Sequence, residues 1–361
     1  MTLTIDVTGL PPTAYLFAPS PVSELTAALH LLVEHGHHPG QAGQIQAMSA
    51  AAGQELVDRA VAFGHLWDKS CADFLLPARP AATLAAELDA VDALDDETWV
   101  DNVLVTCRCG ALARSMGLGT VLADDRAVEL ARERAAASGP VALAFVDRIL
   151  ADPGKVRGEV RVLLEDCQEA FFDQAWRTLV AHLTVDARHK TDLLWNQGPA
   201  AALAAVAPAV RLDEQAQRVV VDKLVDVHVS ARGTGVTFLP TILGDPHLLV
   251  VQAPGWQPVV RYPVAGRDAV QTPSADVQQR LRALDHPMRL RLGRSLVAGP
   301  HTTTELADIW EVSAPEISRH LAVLRDAGLV TVERRGRYVT YRLDVPAVAR
   351  LGADVLEAML R

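Results

Sequence analysis

The chain has 361 residues, 50% of them hydrophobic, which leaves room for two domains and excludes a mostly disordered protein. No apolar run reaches the roughly 18 residues of a spanning helix. The first residues show neither a basic n-region nor an apolar h-region, so a cytoplasmic protein with no membrane partner is expected. The net charge of −10 argues against a uniformly nucleic-acid-binding surface, and four cysteines (Cys71, Cys107, Cys109, Cys167) are too few and too irregular for a disulfide framework.

In chain order, residues 1–21 read as an extended arm, β-like at Leu3 to Val7, that ends in a helix start with Ser20 as N-cap and Pro21 as first helical residue. The helix from about 21 to 35 places Val22, Leu25, Leu29 and Leu32 on one face, and HGHHPGQAG breaks it. Ala- and Leu-rich helical patterns follow at roughly 41–52, 54–68, 81–93, 96–107, 124–137 and 140–151. From Lys155 to about Leu194 the apolar period is continuous, including Phe171, Phe172 and Trp176, as one long helix or two with a bend, and Pro199 opens another short helix. The period then becomes alternating. Ala209 to Leu212, Arg218 to Val229, Gly235 to Leu243, Leu248 to Gln252 and Val259 to Tyr262 read as strands separated by ARGTG, LGDPH and APGWQP turns. Residues 263–274 read as a linker.

The segment TTTELADIWEVSAPEISRHLAVLRDAGL, from Thr302 to Leu329, reads as two short helices and a tight joint. Thr302 with Glu305 matches a capping box; Ser313 with Glu316 repeats it, with Pro315 in the first turn. Ile317, Leu321 and Leu324 form an apolar stripe on the second helix, and Gly328 ends it. VTVERRGRYVTYRLDV then reads as a β-hairpin turning at Arg335-Gly336-Arg337.

This order, together with LDHPMRLRLGRSL before it, resembles the ArsR-type winged helix-turn-helix transcription regulators over residues of about 275–361. SPVSELTAALHLL and FLPTILGDPHLLVVQAPGWQPVVRYP, placed before such a domain, resemble an uncharacterised N-terminal domain of bacterial regulators of this type. The resemblance implies double-stranded DNA as partner, a homodimer pairing the helices at about 275–284 and 345–360, and repression as the default. Val348, Leu351, Val355, Met359 and Leu360 supply an apolar face for that pairing. Many of the resembled regulators sense metals through cysteines on the first DNA-reading helix or through His, Asp and Glu on the last helix. Here the former, ELADIW, has no cysteine, and the latter offers Asp354 and Glu357 without His, so no metal or other cofactor is assigned.

Charge is unevenly distributed. From residue 273 onward there are 13 Arg and no Lys against 11 acidic residues, a net +2 on an otherwise acidic chain. The expected DNA contacts are Thr303, Ser313, Pro315, Glu316, Ser318 and Arg319 on the helix pair, and Arg334, Arg335 and Arg337 on the wing. Arg319 fits the guanine edge or a phosphate; Glu316 either accepts from cytosine or closes the cap; Thr303 and Ser318 suit phosphates. The wing arginines suit the minor groove or backbone, or form a solvated turn. His320 is expected to pack, as are Tyr338 and Tyr341.

Elsewhere the chemistry is sparse. Cys107 and Cys109 have a soft-ligand spacing but also suit a buried thiol pair. His30, His35, His37 and His38 crowd a helix end, where the helix dipole by itself favours His; a metal site is the alternative reading. Asp166, Glu169 and Asp173 suit the solvated side of a helix. No G-x-S-x-G, G-x-x-x-x-G-K-[ST] or H-E-x-x-H motif occurs, so no catalytic residue is assigned. The expectation is an α+β chain: residues 1–265 form a mainly helical domain ending in a small antiparallel sheet, and 275–361 a winged helix-turn-helix. The function expected is a DNA-binding regulator reading a pseudo-palindrome as a homodimer, with the first domain sensing a small-molecule effector or adding to the dimer. The alternative is an enzyme or protein-interaction domain fused to a DNA reader.

Overall fold

The structure is a computed structural model that describes residues 2–34, 36, 38, 41–67, 71–106, 120–222, 227–251, 253, 256–264, 274–335 and 338–360. The chain divides into two compact units, Met1–Val264 and Ala265–Arg361.

The first unit starts with strands β1 (Thr2–Asp6) and β2 (Tyr15–Phe17), followed by helix α1 (Pro21–Val33). Ser20 caps α1 by accepting the N–H of Ser23 at 3.1 Å, and Pro21 occupies the first turn, where no donor is lost. Every residue of α1 from Pro21 to Leu32 is buried, polar Ser23, Glu24 and Thr26 included, so this helix runs through the core. Helix α2 (Ala42–Ala62) joins two predicted helices across a kink at Gly53, whose φ of 72° is in the left-handed region.

Helices α3 (Leu84–Asp92), α4 (Asp96–Thr106), α5 (Asp125–Ser138) and α6 (Pro140–Ala151) follow. Helix α7 (Pro153–Cys167) runs through a π-helical turn, Gln168–Phe172, into α8 (Asp173–Gln197). That turn buries Phe171 and Phe172, and Cys167 and Asp173 on either side of it keep helical dihedrals, so the helix runs on through it. Helix α9 (Pro199–Ala204) completes the helical part.

The strands after α9 are β3 (Val210–Asp213), β4 (Arg218–Asp222), β5 (Val227–Ser230), β6 (Val236–Thr241), β7 (Leu249–Val250) and β8 (Val259–Pro263). They do not form the single small antiparallel sheet expected. Among the described residues two four-stranded mixed sheets form instead, ordered β3-β4-β1-β5 and β2-β6-β8-β7. β1 lies antiparallel to β4 but parallel to β5; β2 is parallel to β6 and β6 to β8. The N-terminal arm thus supplies a central strand to one sheet and an edge to the other. Local alternation shows that a segment is a strand, whereas its partner is set by long-range packing, and the α+β class itself is unchanged. Gly235 has φ +86°, and a Cβ there would stand 2.5 Å from the carbonyl oxygen of Ala14, so the turn before β6 requires glycine. One core of the unit is mostly helical, around Trp67, Phe74 and Trp99; the other lies against the sheets, around Ile5, Phe238 and Tyr262.

The second unit comprises α10 (Ser274–Leu284), α11 (Pro287–Ala298), β9 (His301–Thr302), α12 (Thr303–Trp310), α13 (Ala314–Asp326), β10 (Val330–Arg335), β11 (Tyr338–Leu343) and α14 (Val345–Leu360). Its core is Leu292, Leu296, Leu306, Ile317, Leu321, Leu324 and Leu329. The hairpin β10–β11 gains a third strand through β9, where Thr302 pairs with Thr340.

Candidate nucleic-acid interface

The interface is built on α12 and α13. Thr302 accepts the N–H of Glu305 at 3.2 Å, and the Glu305 carboxylate accepts the N–H of Thr302 at 2.7 Å, so the first capping box is complete. These bonds hold the Glu305 carboxyl below the usual carboxylate range. Glu311, left-handed at φ 52°, ends α12, and the N–H of Val312 reaches back to Ala307 at 3.1 Å. This is the tight joint. The second expected capping box does not form: Ser313 stands at the N-cap position, but its side chain makes no cap bond. Proline at the start of α13 and the backbone bond from Ile317 to Ser313, at 3.1 Å, set the helix entry instead.

α13 buries Ile317, Leu321 and Leu324 completely. At its far end the N–H of Leu329 donates to Leu324 at 2.9 Å and that of Gly328 to Arg325 at 2.8 Å, with Gly328 at φ 66°. That is a Schellman ending, and it fixes where the wing begins. Opposite the buried stripe, Ser313, Pro315, Ser318 and Arg319 are exposed and Glu316 is half-buried. Thr303 is half-buried at the first position of α12. Arg334 is exposed on β10, across from Val339. Arg335 pairs with Tyr338 through the backbone; its side chain and all of Arg337 lie outside the described residues.

His320 packs as expected. Its ring lies 4.6 Å from that of His286, centroid to centroid, and burial together with the neighbouring His286 pushes its pKa down. His286 in turn caps α11 through Nδ1, which accepts the N–H of Met288 at 3.1 Å. Sequence reasoning missed this pair and also β9, whose two residues are too few to show alternation. On the last helix, Asp354 is 2% exposed and takes Nη1 of Arg280 at 2.8 Å, so its carboxylate ties α14 to α10. Cys107, Cys109, His35 and His37 lie outside the described residues. His30 and His38 are brought together, but with a third histidine that the sequence did not point to.

A tightly joined helix pair with a polar outer face on its second helix, followed by a short hairpin, defines a winged helix-turn-helix DNA-binding module of transcription regulators. Residues 284–333 match a helix-turn-helix domain, and residues 1–268 match the family of unknown function DUF5937. The chain belongs to that family. Its C-terminal module is of the ArsR type. It is 35% identical over 83 residues to the biofilm growth-associated repressor of Agrobacterium fabrum, covering 23% of this chain and 71% of that protein. It is 39% identical over 84 residues to the HTH-type transcriptional repressor SmtB of Mycobacterium tuberculosis, covering 21% of this chain and 62% of the relative. Reduced HlyU from Vibrio cholerae is 30% identical over 22% of this chain and 85% of that structure, with a TM-score of 0.20. No described helix is long and apolar enough to cross a membrane.

Proposed function

We propose that the chain is a cytoplasmic repressor that binds a pseudo-palindromic DNA site as a homodimer, with Arg319 at a base edge and Arg334, Arg335 and Arg337 along the flanking backbone. The observation that carries this is the two-sided character of α13: Ile317, Leu321 and Leu324 are sealed in the core while Ser318 and Arg319 face outward. A major groove admits such a helix, and a guanidinium fork fits O6 and N7 of guanine. Thr303, Ser313, Pro315, Glu316 and Ser318 line the same approach, and the two relatives, both repressors by name, support the direction of regulation.

The dimer rests on α10 and α14. Leu281 is 45% exposed on the former and Met359 70% exposed on the latter, apolar surface that a twofold partner would cover. The N-terminal unit is then the effector-sensing or further dimerising part, with no enzymatic role. The test is binding of the purified full chain to DNA from upstream of its own gene, titrated with salt. A discrete site preferred over random DNA, bound by two chains, is the expected result. Equal affinity for promoter, genomic pool and random DNA at every salt concentration would sink the reading.

A further inference from the structure

Three imidazoles converge in the N-terminal unit. His30 lies in the last turn of α1, His38 follows that helix, and His247 follows the turn after β6. Nε2 of His30 and Nε2 of His247 are 3.1 Å apart, and Nε2 of His247 and Nε2 of His38 are 3.3 Å apart. The three rings stand 4.8–5.2 Å from one another between centroids, at mutual angles of 75–87°. His30 and His38 are 7% and 4% exposed, and His247 is half-buried.

Metal–nitrogen bonds of about 2.0–2.1 Å in a tetrahedral site put the ligand nitrogens roughly 3.3–3.4 Å apart. The two contacts through His247 lie close to that spacing, and the three ligand nitrogens all lie within 4.8 Å of one another. The protonation pattern also fits. Nδ1 of His30 lies 2.8 Å from the carbonyl oxygen of Trp67, which only accepts, so Nδ1 carries a hydrogen and Nε2, which faces Nε2 of His247, is the ligand atom. Histidine ligands are commonly oriented in this way, by a carbonyl behind the ring.

The surrounding fold holds the nitrogens in place. Glu24, about one and two-thirds turns before His30 on α1, accepts the N–H groups of Ile242 at 3.0 Å and Leu243 at 2.8 Å. Gln41 donates to the carbonyl of Asp245 at 3.2 Å, and the N–H of His247 to that of Gly244 at 2.7 Å. The loop bearing His247 is therefore pinned to the helix bearing His30, although 217 residues separate them. We propose that His30, His38 and His247 form a binding site for a divalent transition-metal ion of the zinc class. An all-imidazole set suits zinc, cobalt, nickel or copper rather than magnesium or calcium, and three protein ligands leave a fourth position for water or an exogenous ligand. The site stands on the N-terminal unit alone and does not depend on the DNA-binding reading.

The test uses the full chain without a polyhistidine tag, stripped with a chelator and titrated with Co²⁺, then with Zn²⁺. One Co²⁺ per chain is expected, with the intense ligand-field absorption of four-coordinate cobalt, bleached by an equivalent of Zn²⁺. His247→Ala and His38→Ala should each weaken binding by about 100-fold or more. Zinc-edge X-ray absorption on the wild type gives a measurement independent of whether the variants fold, with scattering from three imidazoles expected. A wild type that binds neither metal, binding undiminished in a folded His38→Ala/His247→Ala double variant, or a sulfur-containing or all-oxygen shell at zinc would each overturn the proposal.

Discussion

Glu24 accepts the backbone N–H of Leu243 at 2.8 Å, a bond that joins a central helix to a loop 219 residues away. The same carboxyl takes Ile242 and the hydroxyl of Thr241, and Arg261, itself donating to the carbonyl of Ser23 at 3.1 Å, stands nearby as counter-charge. Burial pushes the Glu24 carboxyl up, and these donors and Arg261 oppose that shift. Removing the acceptor leaves three donors without their bond in a closed core. Glu24→Ala should therefore cost on the order of 3 kcal/mol or more. Urea unfolding of the two proteins checks this, and a loss below about 1 kcal/mol would show that the loop is held by other contacts.

Glu87 makes the clearest pH prediction. Its carboxylate accepts from the Ser20 hydroxyl, Val22 N–H and Ala81 N–H at 2.8–3.0 Å, yet burial outweighs these bonds and pushes its pKa up to about 7. A raised carboxyl pKa means that the folded state holds the proton more tightly than the unfolded chain. Its contribution to stability is complete below the unfolded value of 4.5 and is lost as pH rises through about 7. That shift corresponds to about 3 kcal/mol. Glu87→Gln lacks the titration, so the stability advantage of wild type over the variant should shrink between pH 5 and pH 8. A difference that grows with pH would show that the three donors win.

The two helix starts of the DNA-reading pair allow a matched comparison. Thr302→Ala removes a bond seen in the structure and should lower the stability of the C-terminal unit by about 1 kcal/mol. Ser313→Ala removes none and should change stability by less than about 0.5 kcal/mol. If Ser313 meets a phosphate, its variant should nonetheless bind DNA more weakly. Thermal melts paired with a DNA titration separate the two effects.

Much of the C-terminal unit was legible because its signals are local. Thr302 and Gly328 do what their positions predicted, as does Ser20 in the N-terminal unit, and Ile317, Leu321 and Leu324 are fully buried. Ser313 failed as a cap because the Ser-x-x-Glu pattern specifies a geometry that is available, and Pro315 with the left-handed Glu311 already sets the entry of α13. The body was harder to read. Nothing near Thr4 announces that it pairs with Val220 on one side and His228 on the other. His247 sits in an ordinary-looking turn, and only the closure of the β6 loop onto α1 through Glu24 brings it to His30. Lone titratable residues acquire meaning from such long-range contacts, which periodicity cannot show.

Arg319 and Arg334 should fail differently. Both are exposed, the first on the outer face of α13 and the second on β10. A base-reading arginine discriminates between sequences, so Arg319→Ala should cost about 1–3 kcal/mol on the preferred site and little on random DNA. An arginine on the phosphates does not discriminate. Arg334→Ala should weaken all DNA alike and lower the slope of log affinity against log salt by about 0.9. Titrations on specific and random duplexes at several salt concentrations distinguish these outcomes. Equal losses on both duplexes for Arg319→Ala, with a reduced salt slope, would move Arg319 from the base edge to the backbone and leave sequence reading to Ser318, Glu316 or the shape of the DNA.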